Sequence, residues 1–249
     1  MKRQFLFSFF ETPVGKLLQG VEKKYIKRSI HVSCKQTILQ IGALGWEHDF
    51  IDCSLYRDFY LVDSRGSGTH EAHKIQSFCY QLPIQTESVD LVILPHLLEF
   101  DAHRFRTLRE IDRVLKPGGE ILILHLNPFN IWVRLQSLWD RKMSHNWMGH
   151  FLSRTRVCDW LKVLNCEIKT TTELTEDALI TTPAKFRFGK LTFIALAYGV
   201  VAVKRKYTLI PLASTKSKIA KLISATTLAE RRRFDNNYNA TDINIKDER

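Results

Sequence analysis

The chain has 249 residues, 45% of them hydrophobic and 25% charged, with only 11 Gly and 7 Pro, which excludes a fibrous repeat and a wholly disordered chain. The formal charge is +11, but residues 204–249 hold 11 Lys and Arg against 5 Asp and Glu, so more than half of the excess sits in the last fifth and no nucleic-acid partner is expected. The five cysteines (Cys34, Cys53, Cys79, Cys158, Cys166) are odd in number and form no C-x-x-C pair, so neither a disulfide framework nor a metal centre is expected.

At the N-terminus, Lys2 and Arg3 precede an apolar run from Phe5 to Phe10 that Glu11 ends before a signal sequence could form, and a cytoplasmic location is expected. Thr12-Pro13 reads as an N-cap with proline at the first helical position. Val14, Leu17, Leu18, Val21 and Tyr25 then recur at helical spacing, which predicts a helix from Pro13 to about Ser29 within an N-terminal helical extension, residues 1–36. Short apolar strands follow at 37–41 (ending at Gly42), 59–62 (ending at Asp63), 89–94 and 121–124. Strands of this kind separated by helical stretches indicate a parallel sheet buried on both faces, hence an α/β fold.

The helix before 121–124 places Phe105, Leu108, Ile111 and Leu115 on one expected face, with Asp101 as cap and Asp112 four residues before Lys116. Pro117 stops it, and Gly118-Gly119 supplies the positive φ of a tight turn. A helix is expected over 153–164, a strand over 166–172 and a closing strand within the run from Leu191 to Val203. That 13-residue run, broken by Thr192 and Gly199, falls short of the roughly 20 residues a membrane span requires. The main domain is expected over residues 37–211, followed by a basic, disordered tail over 212–249.

The ordered series Leu39-Gln40-Ile41-Gly42, Leu61-Val62-Asp63, Leu82-Pro83, Val89-Asp90-Leu91-Val92, His96-Leu97-Leu98-Glu99 and Arg109 to Gly119 resembles the motifs of class I S-adenosylmethionine-dependent methyltransferases. The resemblance covers residues 37–126 and implies a Rossmann-like three-layer sandwich with a mostly parallel seven-stranded sheet and an antiparallel last strand. It implies S-adenosyl-L-methionine as cofactor and methyl transfer to a small-molecule acceptor. On this reading Gln40, Gly42 and Gly45 meet the methionine end, Asp63 the ribose, Cys79, Tyr80 and Leu82 the adenine, and Leu94 and Pro95 the methyl end. His96, with His125 as a second candidate, would take a proton from the acceptor.

The residues speak for part of this on their own. A strand ending in glycine exposes backbone N–H groups to an anion, and an acid 21 residues on, at the end of the adjacent strand, can take both hydroxyls of a ribose. A nicotinamide enzyme shares that spacing, but Leu44 stands where pyrophosphate binding calls for another bare backbone. Three positions depart from the resembling pattern: Gln40 replaces an acid, Leu44 a glycine, and Phe78 stands near where an acid would receive the adenine amino group. The alternative they raise is a catalytically weak or inactive methyltransferase-like interaction protein.

His70-x-x-His73 with Cys79 lacks the further ligands a metal needs and reads as a solvated helix. Asn127-Pro128-Phe129 is superficially like the motif of amino-group methylases, but it follows the wrong strand. Phe129, Trp132, Trp139, Trp147 and Met148 either pack against the sheet or cover the cleft and grip an apolar acceptor.

Overall fold

A computed structural model describes residues 4–30, 37–49, 58–64, 73–135, 138, 150–175, 179–183 and 195–205. The chain divides into Met1–Lys206 and Tyr207–Arg249, and the second unit, with the expected tail, lies outside the described residues, as do Trp139, Trp147 and Met148.

Two helices open the chain, α1 (Gln4–Glu11) and α2 (Pro13–Ser29). The second has the bounds that Pro13 and the apolar spacing predict; the first was visible in the sequence only as an apolar run. Thr12 makes the corner between them. Its Oγ1 donates to the Phe9 carbonyl at 2.6 Å, where α1 ends, and accepts from the Gly15 N–H at 3.1 Å, capping α2. Gly15 is fixed by space, since a Cβ there would lie 1.9 Å from the Phe9 carbonyl oxygen. Gly15→Ala must push the two helices apart, and thermal or urea unfolding is expected to show a loss of about 1–3 kcal/mol; an unchanged midpoint would mean the corner relaxes freely.

The sheet runs β1 (Thr37–Ile41), β2 (Asp58–Asp63), β3 (His73–Gln76), β4 (Val89–Pro95), β5 (Leu115–Leu126), β6 (Cys166–Leu174), β7 (Leu179–Pro183) and β8 (Ala197–Lys204). Its spatial order is β3-β2-β1-β4-β5-β8-β6-β7. The first five strands pair in parallel, and β8 is antiparallel to both β5 and β6. This is the expected mostly parallel sheet with an antiparallel last strand, to which β7 adds an eighth strand by pairing with β6 at the edge.

Further helices include α3 (Leu97–Phe100), α4 (Arg104–Val114) and α5 (Arg154–Val163). On one face of the sheet Phe5, Phe9, Leu18 and Ile26 from α1 and α2 pack with Ile38, Phe59 and Ile93. On the other, Leu108, Ile111, Val157 and Leu161 from α4 and α5 pack with Leu39, Val92 and Ile123. The sandwich therefore has three layers, and the N-terminal helices belong to its core.

Several local expectations are corrected. His73 lies on strand β3, not on a solvated helix; among the described residues β3 pairs with β2 alone, and its polar, mostly exposed residues hid the strand signal. His70 lies outside the described residues. Phe105 is exposed and packs edge-on against Trp160 at 4.8 Å, so the inner face of α4 is Thr107, Leu108, Ile111 and Val114. Lys116 pairs with Asp90 at 2.8 Å rather than with Asp112, because Leu115 already belongs to β5 and the helical register has ended. Gly118 does take a positive φ of 83°, within a strand whose register against β4 shifts between Val89 and Leu91.

Candidate functional site

Open α/β sheets place ligands beyond the carboxyl ends of their parallel strands, and the predicted site residues gather at the ends of β1, β2 and β4. The loop after β1 is shaped by two glycines with positive φ, Gly42 at 97° and Gly45 at 92°. At Gly45 a Cβ would meet nothing, so conformation rather than space calls for glycine there. Leu44 does not obstruct this loop from outside. Its side chain is buried in the same apolar cluster as Phe10 and Trp46.

The loop turns its amides inward. The Ala43 N–H donates to Asp63 Oδ2 at 3.0 Å, tying the end of β1 to the end of β2. The Leu44 N–H donates to Glu47 Oε1, and the Gly45 N–H reaches both carboxylate oxygens of Glu47 at 3.2 and 3.1 Å. Successive main-chain donors converging on one carboxylate make an anion nest. Gln40 completes the arrangement: its Nε2 donates to the Gly42 carbonyl at 3.0 Å and to Glu47 Oε1 at 3.1 Å, while its buried Oε1 has no hydrogen-bond partner among the described residues.

That contact gives a physical account of glutamine at this position. An acid here would set a second carboxylate about 3 Å from Glu47 in a buried site, where two like charges cannot both ionise. Gln40→Glu is expected to destabilise the fold by about 1–3 kcal/mol at neutral pH, with the loss shrinking toward acid pH as the pair takes up a proton. Urea unfolding at two pH values checks it; an equal loss at both would rule out charge repulsion as the cause.

The N-terminal helices close over this end of the sheet. The Phe10 ring lies edge-on to Trp46 at 5.8 Å and to His96 at 5.9 Å, and Lys23 of α2 stands 5.5 Å over the Trp46 ring and pairs with Asp49. Leu94 and Pro95 end β4, with Leu94 wholly buried, and His96 follows with a positive φ of 49° that turns the chain into α3.

His96 enters a buried cluster. Its Nε2 lies 2.8 Å from Glu22 Oε1 of α2 and its Nδ1 3.6 Å from Glu99 Oε2 of α3. Glu99 Oε1 lies 3.2 Å from His125 Nδ1 and accepts the Leu126 N–H. All four side chains are fully buried. Burial alone would lower the pKa of His96, but the charge and hydrogen bond of Glu22, with Glu99 behind them, outweigh it and raise the imidazole to about 10. Burial pushes Glu99 up, yet His125 and His96 pull it down to about 2. At neutral pH the cluster thus contains an imidazolium and an ionised carboxylate.

The expected adenine segment is placed separately. Cys79 and Leu82 are buried, and Tyr80 stacks on exposed Phe78 at 5.3 Å and meets His103 at 4.8 Å. Helix α4 holds this segment through Glu110 Oε2, which accepts from the Leu82 N–H, and Arg113, which donates to the carbonyls of Leu82 and Ile84. Among the expected site residues, direct hydrogen bonds join Gln40 to Gly42, with Glu47 as the shared acceptor that links Gln40 to Gly45. Asp63 joins the group through Ala43. A cleft of about 600 Å³ lined by Thr37, Asp58, Val89 and Lys116 lies at the opposite strand ends, away from these groups.

Glu22, Glu47 and Glu99 carry this geometry and none was singled out from the sequence. Glu99 stood within the quoted His96-Leu97-Leu98-Glu99 series, one helical turn from His96. Among the described residues no group of His, Cys, Asp and Glu could hold a metal ion, and no helix is long and apolar enough to cross a membrane.

Residues 60–123 match a family described as a methyltransferase domain. The chain is 26% identical over 158 residues to the Escherichia coli protein YafS, covering 64% of either chain. It is 30% identical over 131 residues to the ubiquinone/menaquinone biosynthesis C-methyltransferase UbiE of Laribacter hongkongensis, covering 52% of this chain and 51% of that one. It thus spans about half to two thirds of the length of these curated relatives. Among solved structures, an S-adenosylmethionine-dependent methyltransferase of Thermotoga maritima superposes with a TM-score of 0.58 at 15% identity, covering 80% of this chain and 100% of that one, which shows a shared fold.

Proposed function

We propose that this chain, a member of the class I S-adenosylmethionine-dependent methyltransferases, transfers a methyl group from S-adenosyl-L-methionine to a small-molecule acceptor. The observation that carries the reading is the pairing, at adjacent strand ends, of an amide nest at Leu44 and Gly45 with the Asp63 carboxylate. A carboxylate and a ribose are what these two features suit, and Oε1 of Gln40, without a partner among the described residues, adds an acceptor for an ammonium beside them. The residues therefore fit a nucleoside with an amino-acid arm.

When bound, S-adenosylmethionine supplies a methyl group made electrophilic by its sulfonium. The loop 42–45 and Asp63 hold and orient, and the segment with Cys79, Tyr80 and Leu82 borders the base. Leu94 and Pro95 stand at the methyl end, and the buried Phe10 and Trp46 rings back the loop on its apolar side, where Leu44 joins them. Alignment of the reacting groups can by itself remove a large part of the barrier. His96 holds its proton between Glu22 and Glu99, so it acts in this proposal by positioning β4 against α2 rather than as the base; His125, whose Nε2 has no hydrogen-bond partner among the described residues, is the histidine left for proton transfer.

Equilibrium dialysis with methyl-labelled S-adenosylmethionine, with NAD as competitor, tests the reading. Saturable binding that NAD does not displace is expected, followed by label transfer to an acceptor, with hydroquinones, the electron-rich reduced forms of the quinones named for the Laribacter relative, that carry a free ring C–H tried first. Binding of NAD in preference to the labelled donor would overturn it. The second reading, a methyltransferase-like interaction protein with weak donor binding, draws support from one observation: Glu47 already occupies the nest.

A further inference from the structure

We infer that Glu47 is a specificity-determining residue of the donor site: its carboxylate competes with the carboxylate of an adenosyl amino acid for the Leu44 and Gly45 amides. The inference rests on the donor reading above and says how that site discriminates among adenosyl compounds. Three donors converge on Glu47, namely the Leu44 N–H, the Gly45 N–H and Gln40 Nε2, and its side chain is buried. Gln40, neutral where the resembling pattern has an acid, is hydrogen-bonded to that same carboxylate. A neutral Gln40 donates to the internal carboxylate where an acid would repel it.

One nest cannot hold two carboxylates, because like charges sharing the same donors repel and neither can be fully paired. An adenosyl compound with an amino-acid arm must displace Glu47, and its apparent affinity falls by the fraction of molecules in which the nest is free. A nucleoside lacking that arm makes no demand on the nest and escapes the penalty. The ribose contact at Asp63 is common to both, so comparing the two ligands isolates the loop.

Calorimetric titration of the full chain with S-adenosylhomocysteine and with 5′-methylthioadenosine separates the outcomes. Glu47→Ala is expected to tighten S-adenosylhomocysteine binding by about tenfold or more, with methylthioadenosine unchanged within about twofold. Glu47→Gln keeps an acceptor oxygen for the loop and removes the charge, so it should shift the same way by a smaller factor. It also serves if the alanine variant fails to fold, which a melting curve reports. Methylthioadenosine binding to all forms, with S-adenosylhomocysteine unchanged or weakened in the variants, would overturn the inference and leave the nucleoside site standing. Failure of both ligands on every folded form would overturn the donor reading and this inference with it.

Discussion

Replacing His96 by alanine is expected to cost about 3–5 kcal/mol of folding stability, the loss seen when one member of a buried ion pair is removed and its partners stay behind. Glu22 and Glu99 would then face each other's charge without the imidazolium that separates them, at a site with no access to water. The cluster also joins the layers of the fold, since Glu22 comes from α2, His96 from the end of β4, Glu99 from α3 and His125 from β5. Urea unfolding gives the number, and a change below about 1 kcal/mol would show that the pair contributes little beyond packing.

The same cluster sets a pH dependence whose sign follows from the two shifts. His96 is raised from 6.5 to about 10, so its contribution is complete below about pH 6.5 and is lost as pH rises toward 10. Glu99 is lowered from 4.5 to about 2, so its contribution is complete above about pH 4.5 and is lost as pH falls toward 2. Stability from this source should peak between about pH 4.5 and 6.5, and the His96→Ala variant should lack the alkaline decline. An alkaline decline of equal size in the variant would assign it to other groups.

Asp63→Ala carries the largest expected effect on binding. Hydrogen bonds to a charged group contribute about 1.5–3 kcal/mol each. Each ribose hydrogen bond lost should weaken any adenosyl ligand by roughly 10- to 150-fold. The substitution also frees the Ala43 N–H that Asp63 accepts, so Asp63→Asn is the control, keeping an acceptor oxygen for that amide. Methylthioadenosine is the informative ligand, because it avoids the nest that Glu47 fills. An Asp63→Ala variant that binds it as well as the unaltered protein would remove Asp63 from the ribose role.

Much of the architecture was legible because burial writes itself into short apolar runs. β1, β2 and β4 lie in the middle of a sheet covered on both faces, and residues 37–41 and 89–94 consequently read as short, mostly apolar strands. Edge strands do not obey that rule. β3, made of His73, Lys74, Ile75 and Gln76, has one neighbour among the described residues and mostly exposed side chains, and its polar residues imitated a solvated helix. Asp63 and Gly42 were visible from spacing along adjacent strands. Glu47 was not, because its importance arises only when the positive φ at Gly42 and Gly45 folds the loop back onto a residue a few positions away. Likewise the proton on His96 depends on Glu22, 74 residues distant, which no local pattern connects to it.

The central claim is that the loop 42–45 and Asp63 together hold a nucleoside with an amino-acid arm. A crystal structure of the complex with S-adenosylhomocysteine tests it most directly. The account predicts the ribose hydroxyls on Asp63, the ligand carboxylate on the Leu44 and Gly45 amides, and Glu47 turned out of the nest. Ligand density at the opposite strand ends beside Thr37 and Lys116, with Glu47 still on those amides, would contradict it.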